Sequence, residues 1–119
     1  MTDERPTADP DVVDVADRHR YELHVDGATA GFAEYARRTD PHGDGETIAF
    51  IHTVVEDEYS GRGLAGRLAR AALDDARVRG LAVLPFCPFI KGWIAKHPDY
   101  VDLVPARRRE QFDLVAVDG

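Results

Sequence analysis

At 119 residues, with 44% hydrophobic and 31% charged residues, the chain has the make-up of one soluble globular domain and is too short for two. A formal charge of −7 excludes a general nucleic-acid binder, so any anionic ligand needs a local cluster of arginines. The lone Cys87 rules out an internal disulfide or a CxxC metal frame. No apolar run approaches the roughly 18 residues that span a bilayer, and the polar opening stretch lacks a signal-peptide core, so a cytoplasmic protein is expected.

Residues 1–11, rich in Asp, Pro and Thr, read as a flexible leader. From Val12 the pattern is strand-like, with Tyr21, Leu23 and Val25 alternating against Arg20, Glu22 and His24 up to an Asp26-Gly27 turn. A second strand over 28–38 carries Phe32 and Tyr35, and a longer turn follows over 40–45. The next strand, 48–55, is an apolar run broken only by His52, the pattern of a strand covered on both faces. It completes a three-stranded antiparallel meander.

A turn, Ser60-Gly61-Arg62-Gly63, feeds a helix in which Leu64, Leu68, Ala72 and Ala76 recur every fourth position and Gly80 marks the end. Residues 81–86 form a short apolar strand after that helix, which implies a parallel crossover beside the preceding strand. Pro85 and Pro88 fix the backbone around Cys87, and Phe89, Ile90, Trp93 and Ile94 then give helical spacing up to His97-Pro98. A short helix holding Tyr100 follows. The tail, 105–119, is either an edge strand through Phe112, Leu114, Val115 and Val117 or a loose end. The expected fold is α/β, a mixed sheet of five to six strands with one long and two short helices, in a domain spanning 12–104.

A glycine turn opening a helix leaves backbone N–H groups without intrahelical partners at the positive end of the macrodipole. It reads either as a tight turn or as an anion cradle at Gly61, Arg62 and Gly63, with Arg67 and Arg70 adding charge. His52 is either a satisfied core residue or a general base. Cys87 is either a small buried hydrophobe or a reactive thiol, favoured as thiolate by the helix that starts after it. Tyr100 has the spacing to pack its ring against Trp93 or Phe89. A zinc site from His52, Cys87 and His97 lacks ligand spacing.

Taken together, the phrases Ile51-His52-Thr53-Val54-Val55, Ser60-Gly61-Arg62-Gly63-Leu64-Ala65, Pro85-Phe86-Cys87-Pro88-Phe89 and His97-Pro98-Asp99-Tyr100 resemble the GNAT superfamily of N-acetyltransferases, in its minimal single-domain Yjdj-type branch. The superfamily pattern of Gln or Arg, two variable residues, then Gly-x-Gly or Gly-x-Ala places Glu58 in the first position and Gly61 and Gly63 in the glycine positions. The resemblance implies acetyl-coenzyme A, with its pyrophosphate on the amides of Gly61, Arg62, Gly63, Leu64 and Ala65. It implies further that the pantetheine arm runs between splayed strands near Val54 and Val55, with a main-chain N–H near Val54 at the thioester oxygen. His52 and Cys87 are the implied catalytic pair, Cys87 as acyl carrier or as acid, and Tyr100 an additional cofactor neighbour. The implied partners are acetyl-coenzyme A and an amine acceptor, in a monomer or weak homodimer, with no nucleic acid, membrane or metal. The competing readings are a non-catalytic acyl-coenzyme A sensor or interaction module and a structural domain that binds nothing.

Overall fold

A computed structural model describes residues 11–40, 45–59 and 63–114. Residues 1–10 of the expected leader, the middle of the 40–45 turn, Ser60, Gly61 and Arg62, and the final residues Val115 to Gly119 lie outside them, while Asp11, expected in the leader, is the first residue of a strand. Five strands form one sheet in the order β1-β2-β3-β4-β5: β1 (Asp11–Val15), β2 (Arg20–Val25), β3 (Ala28–Asp40), β4 (Gly45–Val55) and β5 (Ala82–Pro85). The first four pair antiparallel; β5 runs parallel to β4. Helix α1 (Leu64–Val78) makes the crossover, and α2 (Pro88–Lys96) follows β5 directly.

The meander has one strand more than expected. Instead of a single strand up to Asp26, a 3-10 turn at Ala16–Arg18 and His19 at φ 55° fold β1 back onto β2. His19 carries no glycine or proline signal, which is why the reversal is hard to read in sequence.

One face of the sheet is packed. Tyr21, Leu23, Ala33, Tyr35, Ile48 and Phe50 point into a core that α1 closes with Leu64, Leu68, Ala69, Ala72, Leu73 and Ala76. Ile90, Trp93 and Ile94 of α2 extend that core, and Pro98–Leu103 adds Tyr100 and Leu103 in 3-10 geometry. The described part of the tail is neither strand nor loose. It forms two 3-10 turns, Ala106–Arg108 and Glu110–Phe112, that bury Phe112 and Leu114, so packing continues past residue 104. Pro105 precedes the first of these turns as its N-cap, and Arg109 Nε donates back to Val104 O at 2.8 Å.

The other face is largely open, which corrects the expectation that β4 is covered on both sides. Glu34 pairs with His52 but Tyr35 pairs with Phe50, leaving Ile51 as an extra residue in β4. Such a bulge sends two successive side chains to one side. Ile48 and Phe50 are fully buried, whereas Ile51 is 47% exposed and His52 is exposed. Thr53, paired with the buried Ala33, returns to the packed face. No helix among the described residues is long and apolar enough to cross a membrane.

Candidate active site

The bulge lies where β4 and β5 part. Their pairing runs from Thr47 and Ala82 to Phe50 and Pro85, and β4 then continues alone to Val55. One last bond crosses the fork, from Cys87 N–H to Phe50 O at 2.8 Å. Pro85 and Pro88 make the fork: β5 ends at the first, and the second sits in the opening turn of α2, with Cys87 as its N-cap. Cys87 is only 2% exposed, and its Sγ lies 3.2 Å from Thr53 Oγ1 across the fork.

His52 stands on the opposite face. Its ring meets Phe32 edge-on at 6.3 Å, and Glu34 is its partner across the ladder. Alternation of side chains separates His52 from Thr53, and Thr53 is the residue that touches Cys87. The structure therefore does not bring the imidazole and the thiol side by side; the unpaired end of β4 lies between them. Val54 and Val55, both half-buried, pair with Phe32 and Gly31 on the β3 side. Gly31 makes that approach possible, since a Cβ there would sit 2.5 Å from Val54 O.

Beyond the free end of β4, α1 begins at Leu64 with Gly63 as its N-cap at φ 74° and no side-chain cap. The first intrahelical bond runs from Arg67 N–H to Gly63 O at 3.2 Å. The amides of Leu64, Ala65 and Gly66 thus have no intrahelical partner. Space beside Gly63 is open, with nothing within 4 Å of where a Cβ would stand. Leu64 itself turns its side chain into the core.

A family model described as "GCN5-related N-acetyl-transferase" matches residues 20–103. The chain belongs to the GCN5-related N-acetyltransferase family. A crystal structure of a ribosomal-protein-alanine N-acetyltransferase from Brucella melitensis biovar Abortus 2308 is similar in fold, with a TM-score of 0.54 at 20% identity. The match covers 84% of this chain and 62% of that one, so the present acetyltransferase-family chain spans less than two thirds of that protein's length. No curated protein matches the sequence.

Within this GCN5-related chain, Tyr100 is the site residue held farthest from a free role. Its hydroxyl donates to Asp74 Oδ1 at 2.8 Å and accepts from Arg70 Nη1 at 3.1 Å, and its ring meets Trp93 at 4.9 Å. Burial and then Asp74 raise its pKa, which keeps the phenol protonated. The arrangement is that of a packing residue bolted to α1. Arg70 is drawn into the same cluster, 5.3 Å over the Trp93 ring, while Arg67 remains exposed.

Three residues escaped the sequence reading. Thr53 shared its phrase with His52 but looked like strand filler. Gly31, a glycine inside a strand, is the signal for close backbone approach. Gly66 lies 3.5 Å from Trp93 Nε1 when given a Cβ, so it admits α2 against α1 as well as contributing a first-turn amide. The glycine part of the family pattern also fits two residues later, as Gly63-Leu64-Ala65, with Ser60 where the pattern has Gln or Arg. That frame matches the observed helix start and removes the acidic Glu58 from the phosphate position.

Proposed function

We propose that the protein transfers an acetyl group from acetyl-coenzyme A to an amine. The observation that carries this reading is the fork between β4 and β5, which ends their pairing at Phe50 and Pro85 and leaves the stretch from Ile51 to Val55 unpaired on that side. The residues present suit the ligand. Uncapped amides of Leu64, Ala65 and Gly66, with Gly63 open to close approach, suit a pyrophosphate, and exposed Arg67 adds charge. Gly61 and Arg62 would extend that cradle on the strength of the family pattern. Main-chain groups of Val54 and Val55 would line the pantetheine arm, and a β4 N–H near Val54 would stabilise the oxyanion. Tyr100 supports α1 in this reading and stays out of the chemistry.

Acetyl-coenzyme A supplies an activated acyl carbon and a thiolate leaving group. On the open face, His52 accepts the proton that the acceptor nitrogen loses as the C–N bond forms. On the packed face, the Cys87 Sγ–H returns a proton to sulfur as the C–S bond breaks, and the Thr53 hydroxyl, its Oγ1 3.2 Å from Sγ, is placed to donate to the thiolate left behind. Opposite faces favour this division of labour over a covalent acyl-cysteine, because His52 faces away and is not placed to take the proton of a nucleophilic Cys87.

Acetyl-coenzyme A should raise the thermal midpoint of the protein by linkage, and an amine panel should release free coenzyme A. Intact mass after mixing should show no acetyl adduct on Cys87. Tight binding with no transfer to any amine would instead establish a sensor.

A further inference from the structure

A cavity of about 400 Å³ lies on the open face beside the fork. Ala49, Ile51, Leu84 and Phe86 form its apolar floor, and Arg38 and Arg108 stand in its wall. Ile51 and Phe86, respectively 47% and 51% exposed, are the large apolar residues of that floor. Phe86 is held in place edge-on by Phe112 at 5.1 Å. The turn that carries Arg108 thus closes one side of the cavity.

The cavity is electrically lopsided. Along β3, Glu34, Ala36 and Arg38 occupy alternate positions and share the open face. Glu34 is beside His52 at the fork end; Arg38 is four residues away, roughly 13 Å at about 3.3 Å per residue. Several other arginines are paired with carboxylates: Arg20 with Glu22, Arg77 with Asp102, and Arg79 with Asp75 and Asp14. Among the described residues no carboxylate engages Arg38 or Arg108, and Arg108 Nε donates only to Gln111 Oε1 at 3.2 Å. Two guanidinium groups in the wall of an apolar groove, in a chain of net charge −7, suit a carboxylate far better than a second cation.

We propose that this groove is the acceptor site and selects amines that carry a carboxylate across an apolar spacer. The inference rests on the acetyl-transfer reading above. The ammonium end lies toward Glu34 and His52, where it is deprotonated; the spacer covers Ile51 and Phe86; the carboxylate meets Arg38 and Arg108. The sheet face that lacks a helical cover is then the specificity surface, and the chain needs no additional helices to build one.

The test compares 4-(aminomethyl)benzoate with its neutral amide, 4-(aminomethyl)benzamide, by coenzyme A release from acetyl-coenzyme A. Wild type should prefer the carboxylate by about tenfold or more in kcat/KM, expressed in KM, and added salt should erode the preference. Arg38→Met with Arg108→Met should abolish the preference by raising KM for the carboxylate to that for the amide; the Lys pair should restore part of the preference. Equal rates for the two amines in wild type, or a preference that survives the Met pair, overturns the inference while acetyl transfer stands. No transfer to either amine, with acetyl-coenzyme A still raising the thermal midpoint, overturns the inference together with the activity on which it rests.

Discussion

The two faces of β4 carry opposite kinds of residue. On the packed side Ile48, Phe50 and then Thr53 meet α1, α2 and Cys87; on the open side Ala49, Ile51 and His52 meet solvent and a cavity. One bulge at Ile51 sets this division and falls where β5 departs. Stability is therefore concentrated on the packed side, where Thr53 and Cys87 are the polar groups near the fork, and the open side is free to vary without loss of the core. The largest expected effect follows from this. Phe50→Ala, at a fully buried ring, should cost about 3–5 kcal/mol in denaturant unfolding, whereas Ile51→Ala next to it should cost less than about 1 kcal/mol. Comparable losses at both positions would mean that the open face is covered in solution.

The second contrast sets His52 against Cys87. Each should lower transfer by about a hundredfold or more when replaced, but in different company. His52→Gln removes an exposed side chain and should leave the thermal midpoint and acetyl-coenzyme A binding unchanged. Cys87→Ala empties a buried position under Thr53 and should lower the midpoint by a few degrees as well. If His52→Gln left the rate untouched, proton removal on the open face would be ruled out.

Alkaline pH reads the packed face alone. Burial first, then the hydrogen bond to Asp14, pushes the Tyr35 phenol up to about 12, and burial and Asp75 raise Tyr21 further. A raised folded pKa means stability that is complete below the ordinary tyrosine value of about 10 and is lost as pH climbs through the folded value. The Tyr35 contribution alone should lower unfolding free energy by about 2 kcal/mol between pH 10 and 12, so Tyr35→Phe should remove that part of the fall and leave the part carried by Tyr21. A smaller effect is expected at the head of α1: Gly63→Ala meets no atom but must hold φ 74°, costing about 1 kcal/mol. Its sharper readout is a weaker midpoint shift with acetyl-coenzyme A.

Legibility in the sequence followed the same division. Alternation in 20–25, the fourfold spacing of Leu64, Leu68, Ala72 and Ala76, and the prolines around Cys87 are local signals, and each element formed within a few residues of its expected place. The bulge left no such mark, because Phe50, Ile51 and His52 look like a continuous run whichever way they point. Relative placement of His52 and Cys87 depends on that one extra residue, so the family phrases brought both into view without showing that they face apart. The tail misled for a related reason: Phe112 and Leu114 are apolar enough for a strand, but Pro105 and the left-handed Asp113 at φ 58° turn them inward instead.

Acid pH probes the open face, and with the smallest effect. Glu22 accepts from His24 Nε2 at 3.0 Å and from Arg20 Nη2 at 2.7 Å, while Arg20 also lies 4.4 Å over the Phe32 ring. The His24 hydrogen bond first, and Arg20 second, hold the Glu22 carboxyl below its ordinary value of 4.5. A depressed pKa contributes stability above the ordinary value, and that contribution is lost as pH falls through the folded one. Glu22 is itself buried, but Arg20 and His24 are partly exposed, and solvent screening through them keeps the cluster's worth below about 1 kcal/mol. Glu22→Gln keeps the shape and one acceptor but cannot titrate. Wild type should exceed the variant in unfolding free energy at pH 6, and the gap should close between pH 5 and 3; salt should shrink it at pH 6. Tyr35→Phe should leave this acid limb unchanged, since Tyr35 titrates on the other face and at the other end of the scale. An acid limb that is the same in Glu22→Gln and wild type would show that the cluster does not discriminate folded from unfolded chain, and that the open face contributes to specificity without contributing to stability.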